Sequence, residues 1–521
     1  MNSMTRPRSA SIDCRRPALA GEDGEGDKLF ALLILNYHYH INSMLTRTWF
    51  QLLSSSKQTM CPRTQEHMHA VFPEKSTVTS RPTLCCPAIV AALLLAGGKA
   101  FAIGQEEAKG FAEGSSLIMQ NRMLSEQLDY QNGSSFRAAS GQRGQTLARE
   151  SAYGLMLNYE SGYTRGLVGV GLDAHAYGAL NLGTEANHAR ATPRYVARDG
   201  QEIADRFGRS GAALKIRISA TELKVGEMRT RSPLFSSSDT RLLPESNRGW
   251  QVISTDIPAL TLQAGRFTGW ADRNARKNGA DLQANYSGVT GSSFSFIGGT
   301  WVTPITNLTL SSYYGQYADN WNTAYLGSFY KLALPDKRSL SFNLNIYRST
   351  DTGRAKSGVI DTTTSSLMSS YAIGAHKFGL GYQKVSGNNP FDYVNRGSIW
   401  LENAMQLSDF NGPREASWQL RYDVDLSSIA TPGLSASVAY TRGSGIDNSR
   451  LNAVYASYLG YSAANGKHWE RDIQVRYTVQ HGAAKNLSLQ LRYGVHRTNK
   501  TQGEANMNQL RLQAELPFKI L

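Results

Sequence analysis

Asn486–Arg497 reads NLSLQLRYGVHR. Successive side chains of a strand point to opposite faces. One face of this stretch carries Leu487, Leu489, Leu491, Tyr493 and Val495; the other carries Ser488, Gln490, Arg492, Gly494 and His496. A soluble sheet turns the first set to a core and the second to bulk water. A transmembrane barrel turns the first set to lipid and the second to a wet lumen. The alternation alone fits both, so its repetition along the chain and the way the chain begins have to decide.

The pattern does repeat. Outward from this stretch it returns in Ile473-Val475-Tyr477-Val479, in Leu434-Ala436-Val438-Tyr440 and in Trp418-Leu420-Tyr422-Val424. It is present earlier in Tyr153-Leu155-Leu157-Tyr159, Leu214-Ile216-Ile218 and Leu340-Phe342-Leu344-Ile346, and last in Leu510-Leu512-Ala514-Leu516-Phe518. Ser115 to Met123 reads as the first strand. The spacing predicts about 18 to 20 strands, with 281–303 and 396–410 ambiguous. Short turns such as Thr431-Pro432-Gly433 alternate with long polar loops at 132–149, 179–209 and 229–247. Short turns at one end and long loops at the other are the layout of an outer-membrane barrel. Trp250, Trp301, Trp418, Trp469 and Tyr477 fall near strand ends, where interfacial aromatic girdles sit.

Composition agrees. Among 521 residues there are 48 Gly, 25 Tyr and 16 Pro, which suits many turns between strands. No run of 18 apolar residues is present, which excludes transmembrane helices but not membrane strands. All four cysteines (Cys14, Cys61, Cys85, Cys86) lie in the first 86 residues, so cysteine-type zinc sites are excluded from the rest. The formal net charge is +14; residues 1–102 hold 11 Lys+Arg against 7 Asp+Glu, which leaves +10 beyond them. No nucleic-acid motif or basic-aromatic cluster accompanies that charge.

Pro87 to Gly98, PAIVAALLLAGG, is a short apolar run preceded by Lys75 and Arg81 and followed by Ala100-Phe101-Ala102. This is the layout of a secretory signal peptide, with cleavage after Ala102. A signal peptide belongs at an amino terminus, and Met60 and Met68 are both plausible starts. The expected organisation is therefore an over-long extension without a native fold at 1–67, a signal peptide at 68–102, and one barrel domain at 103–521.

Parity places Lys215, Arg217, Arg421, Arg476, Arg492 and Arg511 on the polar face of their strands. A Lys or Arg facing lipid near mid-membrane costs about 2–4 kcal/mol. Six of them would cancel several buried leucines at roughly 1.5–3 kcal/mol each. In a barrel these residues line the lumen, where Asp173, Asp423, Asp425, Asp472 and Glu515 share their face. A cation attracts a carboxylate at about 4 Å by roughly 4 kcal/mol at an effective dielectric of ~20. A series of such sites draws an anion through without trapping it.

At these motifs the chain resembles the OprD family of substrate-specific outer-membrane porins. The matching segments include GFAEGSSL (110–117), NYESGYTRG (158–166), GAALKIRISATELKVGEMR (211–229) and SSDTRLLPESNRGW (237–250). They continue through LTLQAGRF (260–267), FGLGYQKVSG (378–387), SWQLRYDVD (417–425), PGLSASVAYTRG (432–443) and HWERDIQVRYTVQ (468–480). The resemblance implies an 18-stranded monomeric barrel whose inward-folded loops narrow the pore. It implies uptake of small water-soluble molecules, commonly amino acids or other carboxylates, past basic wall residues. By that analogy Arg217, Arg421, Arg476 and Arg492 are the ladder. The loop from Ser236 to Asn247 is the constriction, with Ser236, Ser237, Asp239 and Arg241 in it. The first strand departs from the family after Arg122, so the resemblance assigns that arginine no role. The chain ends in Leu521 where many barrels end in Phe, but the alternating last strand carries the expectation of assembly.

The expected function is a selective diffusion channel in the outer membrane of a Gram-negative bacterium, reached through the Sec pathway and the barrel assembly machinery. Its surroundings are lipid and lipopolysaccharide; no cofactor, metal or nucleic acid is expected. One alternative is a non-conducting structural or adhesive barrel. Another is a barrel hydrolase, which needs a nucleophile with a positioned base. After the leader the histidines are His175, His188, His376, His468, His481 and His496, and none stands in a His-x-Ser context. Asp173 and His175 share a face and could pair, a lumen hydrogen bond being the simpler reading.

Overall fold

The computed structural model describes residues 103–521 except Ser398 and Ile429. The expected extension, the signal peptide and all four cysteines lie outside the described residues. The strands are β1 (Ser116–Tyr130), β2 (Leu147–Glu160), β3 (Val168–Asn181), β4 (Arg206–Ile218), β5 (Thr221–Met228) and β6 (Ser246–Ser254). They continue as β7 (Leu260–Ala271), β8 (Phe294–Val302), β9 (Leu308–Tyr317), β10 (Trp321–Leu334), β11 (Arg338–Asp351) and β12 (Asp361–Ile373). The last are β13 (His376–Ser386), β14 (Ala416–Asp425), β15 (Leu434–Ile446), β16 (Gly466–Thr478), β17 (Ser488–Thr498) and β18 (Met507–Lys519). Each pairs antiparallel with its sequence neighbours in one 18-stranded sheet. β1 also pairs with β18, from Ile118 opposite Lys519 to Tyr130 opposite Met507. That pairing closes the sheet and removes its edges.

The decisive stretch is β17. Leu491 and Tyr493 are exposed on the outside, while Gln490, Gly494 and His496 are buried on the inside. Val495 departs from this, being buried although it faces outward; Arg471 and Asn508 flank it in register. Elsewhere the outer belt holds exposed Val170, Leu172, Leu326, Leu380, Leu420 and Leu512. These are apolar groups of the kind that lipid covers. Trp418, Tyr440 and Trp469 form part of an aromatic girdle on β14, β15 and β16, with ring centroids 5.4 and 5.9 Å apart. Among the described residues no helix is long and apolar enough to cross a membrane.

Two readings of the chain need correction. The first strand does not end at Met123; it runs on to Tyr130. The alternation continues unbroken, but from Leu124 apolar residues take the inner face: Leu124, Leu128 and Tyr130 are buried inside beside Glu126, and Ser125, Gln127 and Asp129 lie outside. A wall that has left the hydrocarbon faces water outside and folded loops inside, so its apolar side turns inward. The stretch 179–209 is not one loop either. β3 reaches Asn181, β4 starts at Arg206, and Arg198–Asp199 pairs with Glu202–Ile203 between them. Of the two ambiguous stretches, the first half of 281–303 is mostly loop and its second half is β8, whereas the described residues of 396–410 contain no strand.

Long connections at one end fold into the lumen. The largest buried apolar cluster joins inward wall residues (Phe267, Phe294, Phe296, Tyr313, Tyr325, Tyr347) to loop residues Phe235, Leu282, Phe391 and Leu401. A second cluster packs Leu242 and Leu243 against Leu124, Ala152, Met156 and Tyr177 of β1, β2 and β3.

Candidate functional site

Loop 229–245 crosses the interior and is fastened on two sides. At one end the ring of Phe235 stacks on Phe267 and Phe294, with centroids 4.8 and 5.0 Å away. The wall at Tyr347 donates its hydroxyl to Pro233 O at 3.2 Å. At the other end Leu242 and Leu243 are fully buried against the β1–β3 wall. Between these anchors the loop ties itself together. Ser237 N donates to Thr230 O at 2.9 Å, and Ser238 N donates to a Glu245 carboxylate oxygen at 2.7 Å. The second Glu245 oxygen accepts from Arg396 N at 2.9 Å. Burial pushes the Glu245 carboxyl up to about 7, with Arg273 partly opposing the shift.

Asp239 and Arg241 lie beside the second anchor, against β1. Arg122 Nη1 donates to Asp239 Oδ1 at 2.7 Å and to Arg241 O at 2.7 Å. Arg229 Nη2 holds the other Asp239 oxygen at 2.9 Å. Arg122 is therefore one of the wall residues that position the loop, a role that sequence parity did not supply. Ser236 and Ser237 face loop structure rather than open lumen: Ser236 Oγ donates to Ser232 O at 2.6 Å, and Ser237 Oγ accepts from Thr230 N at 3.0 Å.

A second insertion, loop 387–415, lies along the inner wall. Asn403 N donates to Gln383 Oε1 at 3.2 Å on β13. Leu407 N and Ser408 N donate to Glu470 on β16 at 2.8 and 3.0 Å. The two loops touch where a Cβ at Gly397 would lie 2.2 Å from Ser236 O, so only glycine fits there.

The six basic residues read as lumen-facing all lie on the inner face. They differ in how they are engaged. Lys215 Nζ is 2.6 Å from Asp173 Oδ1, and Lys224 Nζ is 2.7 Å from Oδ2. Asp173 thus pairs with lysines and not with His175, whose ring stacks on Tyr177 at 4.6 Å. Arg217 lies 4.0 Å over the Tyr163 ring and donates to Gln105 Oε1 at 2.9 Å. Arg421 is held by Asp423 at 2.8 Å. Arg476, Arg492 and Arg511 sit on adjacent strands: Arg492 is opposite Arg511, and Arg476 is opposite Gln490, two residues from Arg492. Among the described residues none of these three forms an ion pair with a carboxylate. Arg511 Nη2 donates to Thr240 O of the crossing loop at 2.8 Å. Arg241 and Arg511 flank Tyr195, their guanidinium carbons 5.8 and 5.6 Å from its ring centroid.

A closed sheet with a greasy outer belt, a polar interior and tethered inward loops defines a porin-type channel of the outer membrane. The chain belongs to the OprD family: the family described as "outer membrane porin, OprD family" matches residues 109–520. It is 40% identical over 433 residues to Porin D of Pseudomonas aeruginosa, covering 81% of this chain and 95% of that protein. It is 29% identical over 423 residues to the porin-like protein GalP of Pseudomonas putida, covering 80% and 95%. The crystal structure of P. aeruginosa OprD superposes with a TM-score of 0.68 at 39% identity, covering 81% of this chain and 99% of that one. P. aeruginosa OpdK, solved with vanillate, superposes with a TM-score of 0.70 at 32% identity, covering 79% and 100%. The protein is a substrate-specific porin, a channel and not an enzyme, of the Gram-negative outer membrane.

Proposed function

We propose that the channel admits small water-soluble solutes bearing a carboxylate, such as amino acids and small organic or aromatic acids. The observation that carries this is the row Arg476, Arg492 and Arg511, three inward cations on neighbouring strands without a carboxylate partner among the described residues. The row stands beside the crossing loop, where Arg511 meets Thr240. An anion passing there exchanges the Arg476 guanidinium for that of Arg492, while the buried Arg511 adds its charge from behind Thr240, so no single step holds it strongly. Lys215, Arg217 and Arg421 belong to the same ladder but are partly neutralised or stacked, and they guide more weakly. Ser236, Ser237, Asp239 and Arg241 shape the narrow point. That OpdK was solved with vanillate, an aromatic carboxylate, supports the solute class.

The same reading makes 1–67 an over-long extension and 68–102 a signal peptide removed on export through the Sec pathway. It makes the barrel a monomer that the assembly machinery inserts beneath lipopolysaccharide.

Planar-bilayer recording tests the proposal. Wild-type channels are expected to show a small, steady conductance and an anion-leaning reversal potential. Arg492→Ala with Arg511→Ala is expected to shift that potential toward cations and to slow liposome swelling in amino-acid or benzoate-type solutes. Sugar-driven swelling is expected to change little. A silent folded barrel, or unchanged selectivity in the double variant, defeats the reading.

A further inference from the structure

Away from the crossing loop, His468 on β16, His496 on β17 and Glu504 in the loop 499–506 bring three ligating atoms together. His468 Nδ1 lies 3.0 Å from His496 Nε2, and Glu504 Oε2 lies 3.3 and 3.1 Å from the two nitrogens. Both imidazoles are about 1% exposed, and Glu504 is 28% exposed. The site is thus walled by protein and open on the carboxylate side.

The outer nitrogen of each ring is already engaged by an acceptor. His496 Nδ1 meets Ala505 O at 2.9 Å, and a carbonyl can only accept. His468 Nε2 meets Glu415 Oε1 at 2.6 Å. In neutral imidazoles both hydrogens are thereby placed, and both lone pairs point at each other and at Glu504. Three electron-pair donors converging on one point need positive charge there, supplied either by a proton on His468 Nδ1 or by a metal ion held between the three. Tetrahedral zinc with N and O ligands at about 2.0–2.1 Å places its ligand atoms about 3.3 Å apart, close to what is seen. Each ligand also has the outer partner that metal ligands usually have: Glu415, Ala505 O, and the Ser408 hydroxyl on Glu504 Oε1 at 3.1 Å. Glu470 stands opposite His496 in register, and among the described residues no Lys or Arg pairs with Glu415, Glu470 or Glu504. The Glu415–His468 contact needs Gly443, where a Cβ would lie 1.8 Å from Glu415 Oε1.

We propose that His468, His496 and Glu504 bind one divalent cation of the zinc class. Glu415 and Ser408 act as positioning residues. Two nitrogens and one carboxylate favour zinc and its neighbours over magnesium or calcium. Because Glu415 and Ser408 belong to loop 387–415, the ion clamps that loop to β16, β17 and the loop 499–506.

The test uses the full folded chain in detergent, stripped with chelator, with Zn2+ titrated against Mg2+ and Ca2+. One equivalent of Zn2+ is expected to bind, with X-ray absorption showing two imidazole ligands and Mg2+ unable to displace it. Glu504→Gln is expected to weaken uptake at least tenfold, and His496→Gln more. Heat-modifiable gel migration shows whether each variant is folded; Glu504 is partly exposed in a loop, so that variant keeps the test open if His496→Gln fails to fold. Absence of saturable Zn2+ uptake by the wild type overturns the proposal. So does uptake undiminished in folded Glu504→Gln, or equal binding of Mg2+.

Discussion

Arg122 on β1 and Glu515 on β18 are paired across the seam that closes the barrel, and the same Arg122 side chain also holds Asp239 of the crossing loop at 2.7 Å. Arg122 is 4% exposed and further donates to Leu242 O at 3.2 Å. One guanidinium thus joins wall closure to pore narrowing through charge-assisted bonds.

Arg122→Ala leaves Glu515, one Asp239 oxygen and two loop carbonyls without their donor, while Arg229 still holds the other Asp239 oxygen. Removing one partner of such a buried pair costs on the order of 3 kcal/mol. The expected outcome is a lower thermal midpoint for barrel unfolding, together with larger and noisier single-channel currents. Asp239→Asn is expected to give the noise with less loss of stability, because Glu515 keeps its partner. Quiet, wild-type currents in both variants would falsify the tether.

Phe235→Ala empties the aromatic stack at the opposite anchor. Deleting a buried aromatic ring typically costs about 3–5 kcal/mol. Here that loss falls on the loop rather than on the strand ladder. Heat-modifiable migration is expected to persist while liposomes admit larger solutes. An unchanged size cut-off would show that the loop is held without this stack.

Glu245 supplies a pH dependence. Its folded carboxyl titrates at about 7, above the ordinary 4.5, because burial disfavours the charge. Below about pH 4.5 it is protonated whether the loop is docked or free, and docking is fully stable. Between about 4.5 and 7 the docked form holds the extra proton, so stability falls as pH rises through 7. Asp272, Arg273 and Arg396 N are the charged and hydrogen-bonding groups around it. Current noise is therefore expected to grow from pH 5 to pH 7.5 and to lose that slope in Glu245→Gln, which keeps an acceptor for Ser238 N. A slope preserved in Glu245→Gln assigns the titration elsewhere.

Arg421 and Arg492 are expected to behave differently although both face inward. Arg421 lies against Asp423, so Arg421→Ala removes a charge that is already compensated and exposes an anion. Arg492→Ala removes a cation with no carboxylate partner among the described residues. In reversal-potential measurements each single variant is expected to move toward cations. The Arg421→Ala shift is expected to vanish when Asp423→Asn is added. Persistence of the full shift in that double variant would mean that Arg421 acts alone.

Strand faces were legible in the sequence because hydrocarbon imposes one rule on every residue it touches. Leu491 and Tyr493 face out and Arg492 faces in, as alternation alone requires. The rule stops where the hydrocarbon does, which is why alternation alone ends β1 at Met123 and leaves 179–209 as a single loop. Loop-to-wall contacts follow no period. Nothing in QNRML announces that Arg122 reaches a residue more than a hundred positions away. The loop containing Asp239 was recognisable by its length and by family resemblance, but its two anchors were not. Equally, the pairing of His468 with His496 depends on strand register, which alternation leaves open.

The upper part of β1 has a bearing on life at the cell surface. Leu124 to Tyr130 lifts the wall roughly 15 Å clear of the bilayer at the usual strand rise and tilt. Large agents arriving from outside, such as antibodies or phage fibres, therefore meet a raised parapet, whereas the gatekeeping residues lie below it. Pressure from such agents can rewrite its outward residues Ser125, Gln127 and Asp129, but not Leu124, whose buried side chain holds the crossing loop in place.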